Sequence, residues 1–218
     1  LGDKTRNKGC TNTKEHQQTI QQIAEVGIVL LKYDTAHLPL SKETKKILVL
    51  GDNAKRTHAA GGGSAEIKAL YDISPLLGMR MVLGGDAQID WLPGYYVDNE
   101  KHVAGEVDWQ AESLDVDYTT DRGKEQFEKK IRPIREKYLQ EALDACPSYD
   151  EVIFIGGLNH AYDVEGFDRP DMTLPYGQNE VIEALTEKCK NLTVVLINGG
   201  PVEMPWINKV NSLIQTSY

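Results

Sequence analysis

The sequence predicts a three-layer α/β/α sandwich on a mainly parallel sheet, and three observations carry that expectation. Apolar runs of strand length recur at Lys46–Leu50, Val152–Ile155 and Leu192–Ile197. Amphipathic stretches of helical period separate them. The run Leu192–Ile197 is apolar at nearly every position, as suits a strand covered on both faces.

Taken in order, the first element is a helix. Asn12 and Thr13 offer N-cap oxygens, and Glu15 stands three residues after Asn12. Ile20, Ile23, Ala24, Gly27, Ile28 and Leu31 then share one face, so the helix is expected to run to Tyr33-Asp34. Leu38-Pro39-Leu40 makes an extended link to the strand Lys46–Leu50, which Gly51-Asp52 stops. The loop from Asn53 to Ser64 carries His58 and the run Gly61-Gly62-Gly63. Those glycines either let the backbone approach a ligand closely or form a flexible connection. It is neither a dinucleotide fingerprint nor a phosphate loop, because G-x-G-x-x-G and G-K-[ST] are both lacking.

Ala65–Leu77 is expected to be a helix that Ser74-Pro75 breaks or restarts, followed by a short strand at Met81–Leu83. Residues 87–122 show no sustained period and are expected to be an excursion with one short strand near Asp90–Leu92. Its Trp91, Tyr95, Tyr96, Trp109 and Tyr118 either form a satellite core or stack on sugars. Glu125–Ala145 is an amphipathic helix with Phe127, Ile131, Ile134, Tyr138, Leu139 and Ala142 on one face, and Pro133 predicts a kink or a restart in it. Tyr149–Ile155 is the next strand, and Glu180–Cys189 a helix ending in lysines. Leu192–Ile197 and a run beginning at Leu213 complete the sheet.

The stretch between Ile155 and Gln178 is too polar for a simple connection: it holds Asn159, His160, Asp163, Glu165, Asp168, Arg169 and Asp171. Loops at the carboxyl ends of strands are where open α/β sheets bind ligands. A net charge of −9 and the lack of a basic run disfavour nucleic acid and anionic membranes as partners. No apolar stretch reaches the ~18–20 residues that span a bilayer. A neutral or weakly polar small ligand fits better. Cys10, Cys146 and Cys189 are scattered, without a C-x-x-C pair, so neither a disulfide framework nor a zinc site is expected, and no His/Asp/Glu spacing suggests a metal.

Several separated motifs agree on one resemblance. GIVLLKYD followed by LPL, KKILVLGDNA, AGGGSA, EGFDRPDMTLPYGQ and VVLINGGPVEMPW are similar to the carboxyl-terminal sandwich domain of glycoside hydrolase family 3 enzymes. The resemblance runs from about Asn12 to Tyr218 and implies a flavodoxin-like sandwich, a retaining exo-acting β-glycosidase of β-glucosidase type, and no cofactor. It further implies an amino-terminal (β/α) barrel carrying an Asp nucleophile, a β-linked oligosaccharide or glycoside substrate, and a periplasmic or secreted bacterial location. Residues 1–40 are then a helix and linker leading from the barrel, and residues 41–218 a sandwich truncated at its carboxyl end.

By the same resemblance Glu165 is the general acid/base, with Asp163 the next candidate, and Gly61-Gly62-Gly63-Ser64 borders the aglycone side of the pocket. Asp168 and Arg169 are expected to form an ion pair that fixes the loop. Asn159 and His160 either face the sugar or cap the strand end, and His58 is either pocket wall or structural contact. Without the barrel the domain is expected to be inactive. The alternative function is a stand-alone carbohydrate-binding or regulatory module; cofactor binding of the flavodoxin kind is disfavoured by the missing phosphate loop.

Overall fold

The computed structural model describes residues 2, 4–5, 7–34, 37–58, 69–97, 120–160, 162–163 and 168–217. Among them six strands form one sheet: β1 (Val29–Tyr33), β2 (Lys46–Leu50), β3 (Gln88–Leu92), β4 (Glu151–Gly157), β5 (Leu192–Ile197) and β6 (Ser212–Thr216), in the spatial order β1-β6-β5-β4-β2-β3. β3, β2, β4, β5 and β6 run parallel, and only the edge strand β1 is antiparallel to its neighbour. Without β1 the order is that of a flavodoxin-like doubly wound sheet, in which the chain reverses direction between β2 and β4.

Alternation along β2 divides the core. Leu48 and Leu50 face one layer, joined by Val152 and Phe154 of β4, Val194 and Leu196 of β5, and helices α4 (Arg132–Ala145) and α5 (Gln178–Lys188). Ile47 and Val49 face the other with Ile153, Ile155 and Leu76 of α2 (Pro75–Leu83). β4 lies between β2 and β5 and all seven of its residues are buried. Phe154, Leu196 and Trp206 are wholly enclosed, and full burial of each large apolar side chain stabilises by ~1.5–3 kcal/mol.

Four local expectations change. The first helix, α1 (Lys14–Gly27), is capped by the Thr13 hydroxyl, which accepts from the His16 amide, and it ends at Gly27 instead of reaching Tyr33. β-branched Ile28 and Val29 then lead into β1, which pairs with β6 and brings a segment expected to be helical into the sheet. Of the break and the restart expected at Ser74-Pro75 the restart is found, with residues 69–74 outside the helix: the Ser74 hydroxyl accepts from the Leu77 amide and Pro75 occupies the first turn, where its missing N–H costs nothing. Met81–Leu83 is therefore the last turn of α2, closed by Gly84 at φ 55°, and not a strand.

The kink or restart expected at Pro133 is a widened turn from which α4 restarts with Pro133 in its first turn. Between α3 (Asp121–Gln126) and α4, residues Phe127–Ile131 form a π turn in which the Arg132 amide reaches the Phe127 carbonyl. That spacing absorbs the amide bond Pro133 cannot make.

At the amino ends of β4 and β5 a polar plug sits on the α2 face. His37 Nε2 lies 2.9 Å from Glu151 Oε1 and 2.8 Å from Thr193 Oγ1, which itself donates to Glu151 at 3.2 Å. Burial pushes the Glu151 carboxyl up to about 7 and the His37 imidazole below its ordinary value, the latter opposed by the charge of Asp34. A carboxyl raised from 4.5 holds its extra proton only in the folded state between those values. Its contribution therefore favours folding at low pH and is lost as pH rises through the window. Glu151→Gln keeps the neutral hydrogen-bonding shape. Urea unfolding should show the variant gaining on wild type from pH 4.5 to about 7, by up to ~3 kcal/mol, and level above that.

Candidate functional site

The carboxyl ends of β2, β4 and β5 meet where the winding reverses, and their backbone requires glycine. Gly51 ends β2 at φ 105°, and a Cβ there would sit 2.1 Å from the Ile155 carbonyl oxygen. Gly157 ends β4 at φ 114°, with the Ile197 carbonyl oxygen 2.3 Å from where its Cβ would be. Strand ends packed this closely leave polar backbone groups buried, and neutral amide side chains satisfy them.

Gln178, wholly buried at the start of α5, grips Gly157 from both sides: its Nε2 donates to the Gly157 carbonyl and its Oε1 accepts the Gly157 amide, each at 2.8 Å. Asn53 Nδ2 donates at 2.9 Å to the carbonyls of both Gly156 and Leu158. Asn198 Oδ1 accepts from the Leu158 amide at 3.2 Å. Sequence reasoning leaves these three residues without a role. Their signal is an amide placed beside a glycine where an apolar run stops, as in Gly51-Asp52-Asn53, Gly177-Gln178 and Asn198-Gly199.

The polar side chains around this mouth are mixed in burial. Asn159 is buried, its Oδ1 accepts from the Tyr162 amide at 3.1 Å, and the Tyr176 hydroxyl lies 3.4 Å away. His160 and His58, from the loops after β4 and β2, meet edge to face with ring centroids 5.8 Å apart. Burial, with the neighbouring His160 and Arg56, lowers His58 to about 4, so its imidazole is neutral at pH 7. Arg56 pairs with Asp52, and Lys55 lies 3.3 Å from the centre of the Trp91 ring, whose Nε1 donates to the Gly51 carbonyl at 2.9 Å.

Arg169 takes Asp163 as its carboxylate partner at 3.7 Å, and not the exposed Asp168 expected. Its Nη2 also donates to the Pro201 carbonyl at 2.7 Å, tying the loop after β4 to the loop after β5. Asp163, the second candidate acid, is thereby engaged in holding the loop. Tyr95, one of the aromatics of the excursion, is core: it packs on Phe154 and stacks over Tyr176. Glu165, Gly62, Gly63 and Ser64 lie outside the described residues, as do Trp109 and Tyr118. Among the described residues no group of three His, Cys, Asp or Glu side chains converges.

Residues 28–218 match the glycosyl hydrolase family 3 C-terminal domain. The chain belongs to that family. A β-glucosidase of Bacteroides ovatus, BoGH3A, is 37% identical over 218 residues, which cover 96% of this chain and 26% of the relative. Thermostable β-glucosidase B of Acetivibrio thermocellus is 32% identical over 92% of this chain and 22% of its own length. This family 3 domain thus spans about a quarter of these relatives. The β-glucosidase of Kluyveromyces marxianus solved with glucose shares the fold, with a TM-score of 0.74 at 22% identity over 95% of this chain and 39% of that one. A family 3 β-glucosidase of Bifidobacterium adolescentis superposes with a TM-score of 0.68 at 25% identity, over 96% of this chain and 26% of that one.

Two measurements check the geometry of the mouth. Gln178→Leu strands both polar groups of a buried glycine and should destabilise the domain by ~2–5 kcal/mol in urea unfolding, far beyond an exposed control such as Gln140→Leu. The His58 ring resonances, followed by NMR, should stay those of a neutral imidazole from pH 8 down to 5 and shift only near pH 4.

Proposed function

We propose that this chain is the carboxyl-terminal half of the active site of a retaining, exo-acting β-glycosidase of β-glucosidase type. It acts on terminal non-reducing β-linked sugars, and it works together with an amino-terminal (β/α) barrel that supplies the nucleophile. The observation that carries the proposal is the polar loop between β4 and α5, which leaves the reversal point of the sheet and is anchored at both ends by the Gln178–Gly157 amide pair. The names of the 37% and 32% identical relatives and the quarter of their length that the chain spans support it.

In this reading Glu165, within that loop, is the general acid/base. A retaining glycosidase needs two carboxyls ~5–5.5 Å apart, one attacking the anomeric carbon and one protonating the departing oxygen. Glu165 gives its proton to the leaving group as the glycosyl–enzyme bond forms, then takes a proton from the water that breaks that bond. A carboxyl carried on a loop of a second domain lets the pocket open for substrate and close for reaction. Gly62, Gly63 and Ser64 border the aglycone. His58 and His160, whose rings meet edge to face, form part of the wall of the pocket that receives an uncharged polyhydroxy ligand. Asn159 holds the turn on which His160 stands, and Arg169, braced by Asp163 and Pro201, keeps the far end of the loop in place.

The test uses the protein with its upstream sequence. Glu165→Ala should lower kcat/KM on an alkyl β-glucoside by ~10²–10⁴-fold and on a dinitrophenyl β-glucoside far less, since the second leaving group needs no proton. Azide should restore turnover and yield the β-glycosyl azide. Equal, small losses on both substrates would remove Glu165 from the chemistry. The isolated 218-residue chain should turn over neither glucoside.

A further inference from the structure

At the end of the sheet away from the loop mouth, the fold brings two cysteines together. Cys146 follows the last residue of α4 and Cys189 the last residue of α5. Because β4 and β5 pair in parallel, with Val152 beside Leu192, the connections that enter them are neighbours. Cys146 Sγ and Cys189 Sγ are 2.9 Å apart, closer than two non-bonded sulfurs rest; a disulfide bond is about 2.05 Å long. Both side chains belong to the layer of α4 and α5, Cys146 buried and Cys189 packed against it but partly open to solvent. Their separation of 43 positions in sequence gives no hint of pairing, and the parallel register supplies it.

We propose that Cys146 and Cys189 are a modification site: they form an intrachain disulfide when the chain meets an oxidising disulfide donor, either glutathione disulfide or the disulfide of a thiol–disulfide exchange protein. Cys189, the accessible member, loses its proton and its thiolate attacks one donor sulfur. The donor S–S bond breaks and one donor thiolate leaves. The Cys146 thiolate then attacks Cys189 Sγ in the mixed disulfide, forming the protein S–S bond and expelling the second donor thiolate. The two protons lost by the cysteines end on the two donor thiols, so the protein dithiol is oxidised and one donor disulfide is reduced to two thiols.

The surroundings set the pace and the effect. The Cys189 S–H donates to Cys146, which holds the Cys146 thiol below its ordinary range and Cys189 above its own, with burial and the Glu151 carboxylate adding to the latter. Exchange therefore starts slowly, over minutes to hours. Once closed, the bond links the carboxyl ends of two helices on the same face and removes a long loop from the unfolded ensemble. That should shift the unfolding equilibrium by about 10²–10³-fold toward the folded state.

The experiment reads thiols and not turnover, so it stands apart from the glycosidase proposal. The chain carrying Cys10→Ser, which removes the exposed third thiol, is incubated with excess glutathione disulfide and quenched in acid. It is then denatured without reductant, alkylated with N-ethylmaleimide, digested and weighed. The expected product is a pair of linked peptides containing Cys146 and Cys189, two hydrogen atoms lighter than the free pair and carrying no maleimide. Its urea midpoint should be raised and fall back with dithiothreitol. Maleimide on both cysteines, or glutathione on both without a link, would overturn the proposal. With Cys146→Ser added, Cys189 should halt as a stable glutathione adduct; a Cys189 that stays unmodified there would overturn the exchange route.

Discussion

The grip of Gln178 on Gly157 is the contact on which the rest of the mouth depends. β4 is the central strand, and its last residue turns away from the ladder with both backbone groups still enclosed. One amide side chain satisfies both, and that side chain belongs to the first residue of α5. The polar loop that separates them is therefore pinned where it leaves and where it returns. Tyr176 and Gly177, both in the left-handed region, turn the chain sharply into α5 so that Gln178 arrives in place. A buried Tyr at φ 64° is unfavourable alone; here its ring is held in the stack with Tyr95 and against Tyr162.

Neutral amides are a physically sensible choice for this position. Gln178, Asn53 and Asn198 meet buried backbone groups without carrying a charge into the interior, where an unpaired ion costs several kcal/mol. Charged pairs, by contrast, sit around the rim: Asp52 with Arg56, Asp163 with Arg169. The division keeps titratable groups out of the contacts that hold the strand ends together. The buried pair His37 and Glu151 lies at the opposite ends of the strands.

What the sequence makes legible follows from where the physics is local. β2, β4 and β5 are readable because their apolar runs are continuous and stopped by Gly, and α5 because Val181, Ile182 and Leu185 recur at helical spacing after Gly177. β1 is not, because Ile28 and Leu31 continue the helical spacing of Ile20, Ile23 and Ala24 past Gly27. Only pairing with β6, at the other end of the chain, makes the segment a strand, and no local pattern encodes a partner so distant. Met81–Leu83 misleads for the opposite reason: three apolar residues before a glycine fit a strand end as well as a helix end, and the Ser74 cap decides. At the site, Asn159, His160 and Arg169 stand out by polarity in a loop. The amides that build the scaffold do not, since asparagine and glutamine beside glycine look like ordinary turn residues. The distribution of ion pairs cannot be read either: Asp168 is adjacent to Arg169 in sequence, yet Asp163 takes the partnership.

The antiparallel edge strand has a consequence for how the molecule assembles in time. Val29 lies opposite Gln215 and Tyr33 opposite Ser212, so the strand of this sheet that comes earliest in sequence among the described residues is the last to find its partner. The inner ladder from β2 to β5 can condense while β6 is still being made, but β1 cannot dock until β6 is in register. Such distant contacts fold slowly, because loop closure precedes any gain from pairing. During that interval Val29, Leu30 and Leu31 form an apolar, unpaired strand edge, of the kind that joins foreign strands. Nascent-chain handling of this family 3 domain is thus set less by its buried centre than by how long its opening strand waits for its closing one.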